Sequence, residues 1–102
     1  MTRCTLLISE RAEADLREIW RWTYARFGEK QADCYLDELE GGMRACAADP
    51  ESGKDRDSLR RGYRSRPIRK HVVFYTFGTD QVLVQRVLHG SMDFESRLLD
   101  EA

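Results

Sequence analysis

A chain of 102 residues that is 41% hydrophobic and 34% charged can build one packed core and is too polar for a membrane protein, too apolar for a disordered one. No apolar stretch approaches the roughly 20 residues of a membrane span, and the opening "MTRCTLLISE" has too short an apolar run for a secretory signal. A single cytoplasmic domain over residues 1–102 is therefore expected.

In chain order, "TLLIS" (5–9) is short, apolar and β-prone, and reads as a first strand. Ser9 is a natural N-cap for a helix beginning at residue 10, with Glu10 and Glu13 near its positive end. Ala12, Leu16, Ile19, Trp20, Thr23 and Phe27 recur at three- and four-residue steps, and Gly28 ends the pattern. Trp20 falls on the apolar face and is expected in the core. Trp22 lies about 200° round the helix from it, which leaves an indole exposed as a contact residue for a protein partner.

A second helix starts at once, its buried stripe marked by Ala32, Tyr35, Leu36, Leu39, Met43 and Cys46, with Pro50 as its stop. Helices joined by about two residues run antiparallel, so 10–49 is a helical hairpin. Gly41-Gly42 inside it points to close helix packing. Residues 50–62 read as a polar, turn-rich connection. The period then changes: "YRSRPI" (63–68), "HVVFYTF" (71–77) and "VLVQRVLH" (82–89) are β-prone. The last two pair as a hairpin across Gly78-Thr79-Asp80, and the continuous apolar run 72–77 marks a central strand. "MDFESRLLDEA" has helical spacing. The fold class is α+β, in the order β-α-α-β-β-β, with the antiparallel hairpin packed on a small, mainly antiparallel sheet.

The net charge of −1 hides an asymmetry, because residues 54–71 carry eight basic and two acidic groups in an otherwise acidic chain. Arg64 and Arg66 share one face of any strand there, with Tyr63 and Ser65 on the other. Their guanidinium forks suit carboxylates or phosphates. Aromatics for base stacking are few, which disfavours sequence-specific single-strand binding. Cys4, Cys34 and Cys46 form no CxxC pair; Cys34 and Cys46 are expected as reduced, core-lining thiols, and neither a disulfide framework nor a metal site is expected.

Arg86 and His89 suggest general acid–base chemistry on a phosphate. Strand parity places Val82, Val84, Arg86 and Leu88 on one face and Leu83, Gln85, Val87 and His89 on the other. The pair converges only if the strand ends or bulges before His89. It is therefore expected to shape a contact surface, not to cut a bond.

Three stretches together, "ISERAEADLREIWRWTYARFGEKQADCYLDELEGGM", "DPESGKDRDSLRRGYRSRPIRKHVVFY" and "VQRVLHGSMD", resemble the ParE toxins of type II toxin–antitoxin systems. The specific marks are a Pro-x-x-Gly-basic turn, a Gly-Tyr-Arg run, a His before an apolar strand, and Arg-x-Leu-His with Met-Asp after it. The resemblance implies the RelE/ParE fold and a non-enzymatic toxin without cofactor or metal. It implies neutralisation by a ParD-like antitoxin and action on DNA gyrase, with DNA met only through those partners. RelE-type relatives instead cut messenger RNA on the ribosome, often with a C-terminal tyrosine, and this chain has none after Tyr75; that nuclease reading is the alternative. The candidate antitoxin contacts are Trp22, Arg64, Arg66 and Arg69. The candidate target contacts are Arg86, His89, Met92 and Asp93.

Overall fold

The computed structural model describes residues 4–99. Its elements are β1 (Thr5–Ile8), α1 (Glu10–Phe27), α2 (Glu29–Ala48), a 3-10 turn (Pro50–Ser52), β2 (Lys54–Asp55), β3 (Arg64–Ile68), β4 (His71–Phe77), β5 (Gln81–His89) and α3 (Phe94–Leu99). The strands form one sheet in the order β1-β5-β4-β3-β2, with β1 parallel to β5 and the other pairs antiparallel. β4 is central, as its unbroken apolar run requires. The expected order of elements lacked only β2, a two-residue strand too short to show a period.

Gly28 alone joins the two helices. Its φ of 92° lies in the left-handed region that glycine enters without strain, its N–H donates to the Tyr24 carbonyl, and its own carbonyl takes the Ala32 N–H. The hairpin lies on one face of the sheet, where Ala12, Ile19, Leu39, Met43 and Cys46 pack against Val73, Tyr75, Val82, Val84 and Val87. On the other face Tyr63, Val72, Phe74 and Leu88 are covered by Leu98 of α3, with Leu59 and Phe94 beside them.

β1 reaches only as far as Val84 along β5. Beyond it the first turns of α1 take over as hydrogen-bond partner of the strand edge. The Ser9 N–H donates to the Val84 carbonyl, and the Ser9 hydroxyl donates to the Gln85 carbonyl while accepting the Ala12 N–H. One residue thus caps α1 and closes the sheet.

Several expectations need correction. Tyr75 pairs with Val84 but Phe74 with Arg86, so Gln85 is an extra residue and β5 bulges there. Beyond the bulge the faces are exchanged: Val87 joins Val82 and Val84 on the helix side, Leu88 packs on the far side, and His89 opposes His71. No further shift follows, so parity still separates Arg86, which opposes Phe74, from His89, which opposes His71. Trp20 is half-buried and outside the core, with its indole N–H on Asp33 and its ring stacked on Tyr24. Phe27, at the last turn of α1, is 64% exposed because the sheet does not extend beneath it. Cys46 is buried but Cys34 is exposed. Gly42 leaves room for Ile68 of β3, and Gly41 meets nothing; the close approach is helix to sheet, not helix to helix.

Candidate partner-binding groove

The basic segment is mostly engaged within the fold. Arg56 donates to the Ser65 hydroxyl at 2.7 Å and lies over Phe74 and Phe94. Arg60 donates to the Leu98 carbonyl at the end of α3. Arg64 and Arg66 do share a face of β3, opposite Tyr75 and Val73. There Arg64 donates to the Gly53 carbonyl and covers Phe77, and Arg66 reaches the Ser52 hydroxyl at 3.3 Å. Arg69 sits at φ 57° in the two-residue turn between β3 and β4 and pairs with Glu38 of α2, which raises its pKa further. Lys54, Arg61 and Lys70 stand exposed.

The motif Pro50-x-x-Gly53 has a local cause. The buried Tyr75 hydroxyl donates to the Pro50 carbonyl at 2.7 Å and accepts the Gly53 N–H at 3.0 Å. A Cβ on residue 53 would collide with that hydroxyl, so only glycine lets the turn lie against the ring. The same burial raises the Tyr75 pKa and pushes the neighbouring Cys46 thiol up to about 11; this thiol is inert.

Beside the helical hairpin runs an open groove of about 750 Å³. Its apolar wall is Ile19, Trp22 and Phe27 of α1, with Met92 on the opposite lip; its polar floor is Tyr35, His71 and His89, flanked by Arg69 and Lys70. Trp22 is 58% exposed, meets Phe27 edge-on, and carries Arg26 over its ring at 4.7 Å. Exposed aromatics side by side at the lip of a groove are a common feature of partner-binding surfaces.

The floor is a consequence of the register. His71 and His89 are cross-strand partners with ring centroids 5.2 Å apart, and the ring of His71 lies edge-on to Tyr35. The Lys70 N–H donates to the Tyr35 hydroxyl, which shares a hydrogen bond of 2.6 Å with His71 Nδ1. Burial first, and then the neighbouring His89, hold His71 down to a pKa of about 4, against a small opposing pull from Asp15. It is neutral at pH 7. His89 Nδ1 accepts the Ser91 N–H at 3.1 Å and the Ser91 hydroxyl at 2.7 Å. A backbone N–H can only donate, so the proton of neutral His89 is on Nε2.

The expected site residues are thus divided. Trp22, Arg69, His89 and Met92 line one groove, although they were expected to serve two different partners. Arg64 and Arg66 lie outside it, along the 3-10 turn. Arg86 is 8% exposed and held by Asp15, and Asp93 accepts from the Arg97 and Ser96 N–H groups at the start of α3. Phe27, Tyr35, Lys70 and His71 were missed as site residues. Among the described residues no three His, Cys, Asp or Glu side chains cluster to hold a metal, and no helix is long and apolar enough to cross a membrane.

A helical hairpin on a five-stranded mixed sheet, with an aromatic groove beside it, makes this a small α+β domain. The chain belongs to the ParE toxin family: the family model described as "ParE toxin of type II toxin-antitoxin system, parDE" matches residues 6–94. It is 42% identical over 93 residues to Toxin ParE1 of Mycobacterium tuberculosis, covering 90% of this chain and 95% of that one. It is 41% identical to Toxin ParE1 of Caulobacter vibrioides over 89% of this chain and 94% of the relative. Toxin ParE of Escherichia coli is 35% identical over 92% of each chain. A chain of the solved chromosomal ParDE TA system from P. aeruginosa has the same fold, with a TM-score of 0.75 at 16% identity, over 85% of this chain and 96% of that chain.

Proposed function

We propose that this ParE-family toxin is neutralised by a ParD-like antitoxin seated in the groove, and that it arrests growth by inhibiting DNA gyrase, not by cutting RNA. The observation that carries the antitoxin reading is the pair of exposed aromatics, Trp22 and Phe27, at the lip of a groove floored by polar groups. A chain segment that orders on contact can lay apolar side chains there and wrap the adjacent basic strand. Arg64, Arg66 and Arg69 contribute to that contact through the parts of their side chains left at the surface.

The non-enzymatic reading is supported by His89. A general base needs an available lone pair, and the one on Nδ1 is occupied by Ser91 while Nε2 carries the proton. Arg86 acts from beneath, fixing the strand end from which His89 and Met92 meet the target, and Asp93 fixes the start of α3. Purified protein should block gyrase supercoiling of a relaxed plasmid and leave ribosome-bound message intact. Ribosome-dependent cleavage that His89→Ala abolishes would overturn this reading.

A further inference from the structure

Resting on the antitoxin reading, we propose that His71, His89 and Lys70 form a carboxylate-recognition point in the groove, so that the bound segment sets an Asp or Glu on the two imidazoles and an apolar side chain against Ile19 and Trp22.

The hydrogen bonds assign the chemistry. The Ser91 N–H donates to Nδ1 of His89, and we take the Tyr35 hydroxyl, which already accepts the Lys70 N–H, as the donor to Nδ1 of His71. With Nδ1 so occupied, each ring is left with Nε2–H as its remaining polar group, a donor. Two such donors on neighbouring strands, with rings 5.2 Å apart, suit the two oxygens of one carboxylate.

The charges agree. Of the groove's acidic residues, Glu38 is paired with Arg69 and Glu18 with Arg21. Asp15, which faces His71 from α1, is held by Arg86. Among the described residues that line the groove, Lys70 is the cation with no carboxylate partner, exposed and adjacent to His71. A carboxylate there gains charge-assisted hydrogen bonds in a half-enclosed setting. The apolar wall decides between peptide and nucleic acid. Ile19 lies one helical turn beyond Asp15, about 6 Å along the axis, and Trp22 almost another turn on. That distance suits an acidic side chain and an apolar side chain of one peptide.

A matched pair of small probes tests the point on the intact chain: 4-phenylbutyrate and its neutral amide, titrated while the histidine ring resonances are monitored by NMR. The acid should bind at least tenfold more tightly than the amide. Lys70→Met and His89→Phe should each reduce that preference to threefold or less with an unchanged melting temperature. Equal binding of acid and amide, or a preference that survives both variants, overturns the proposal. So would phenyl phosphate displacing the acid at a lower concentration, which would point to nucleic acid. The ParD-like antitoxin is titrated in parallel by calorimetry. If it fails to bind the unaltered chain, the antitoxin reading falls whatever the probes do. If it binds both variants as tightly as the unaltered chain, only the carboxylate point falls.

Discussion

Asp15 and Arg86 form a buried, two-pronged ion pair, Arg86 Nε to Oδ2 at 2.7 Å and Nη2 to Oδ1 at 3.0 Å, and the same Oδ2 accepts the Val87 N–H at 2.9 Å. One carboxylate therefore takes two nitrogens of the guanidinium and the strand edge that β1 leaves unpaired. Asp15→Ala removes the countercharge of a buried guanidinium and the acceptor of a backbone donor together and should cost about 3–5 kcal/mol in urea unfolding. Asp15→Leu combined with Arg86→Met should cost less than Asp15→Ala alone. If Asp15→Ala shifts stability by under about 1 kcal/mol, the pair behaves as a surface contact and its assigned role is wrong.

Gly53 and Tyr75 should be coupled. Gly53 has φ −72°, a conformation alanine adopts freely, so any loss in Gly53→Ala is steric. Overpacking against the Tyr75 hydroxyl should cost about 1–3 kcal/mol. Tyr75→Phe leaves the Gly53 N–H without its acceptor, at a similar cost. The double variant should be less damaged than the two losses added, by about 1 kcal/mol. Strict additivity in a denaturation cycle would show that the hydroxyl is not what excludes a side chain at residue 53.

Much of the frame was legible because it rests on local periodicity. α1, α2 and the β4–β5 hairpin come from repeating apolar steps, and Gly28 and Pro50 punctuate them. The groove floor was not legible. His71 meets His89 only through a register that depends on the β4–β5 turn and on a bulge at Gln85; the polar Gln85-Arg86 interrupts the apolar run there, but no glycine marks a bulge. Arg86 looked like an active-site cation because sequence alone does not reveal Asp15, 71 residues away, as its partner. The basic segment misled for the same reason: clustered charge suggests a partner, but five of its arginines reach partners in their own fold. Phe27 shows the converse, since a correct helical stripe does not say where the sheet beneath it ends.

His71 makes stability depend on pH in a definite direction. Its pKa is about 4 in the folded chain against 6.5 for an ordinary histidine. Between those values the unfolded chain binds a proton that the folded chain does not, so stability is full above about pH 6.5 and falls as the pH drops toward 4. With the partial exposure of the ring allowed for, the loss should be about 1–2 kcal/mol. His71→Gln should flatten the urea midpoint between pH 6.5 and 5, the part of the range above most carboxylate titration. An unchanged slope in that variant would assign the pH dependence to other groups.

Trp22 offers the sharpest separation of binding from folding. At 58% exposure its main contacts are Phe27 and Arg26, both at the surface themselves. Trp22→Ala should therefore change unfolding stability by no more than about 1 kcal/mol. An aromatic anchor at the centre of an interface is worth at least about 2 kcal/mol, so affinity for the ParD-like antitoxin should fall tenfold or more by calorimetry. Phe27→Ala should act in the same direction and less than additively with Trp22→Ala, because the two rings form one surface. Arg61→Ala, at an exposed cation away from the groove, supplies the contrast and should leave affinity within about threefold, a difference below 1 kcal/mol. If Trp22→Ala binds as tightly as the unaltered chain while Arg61→Ala does not, the antitoxin lies along the basic loop and not in the groove.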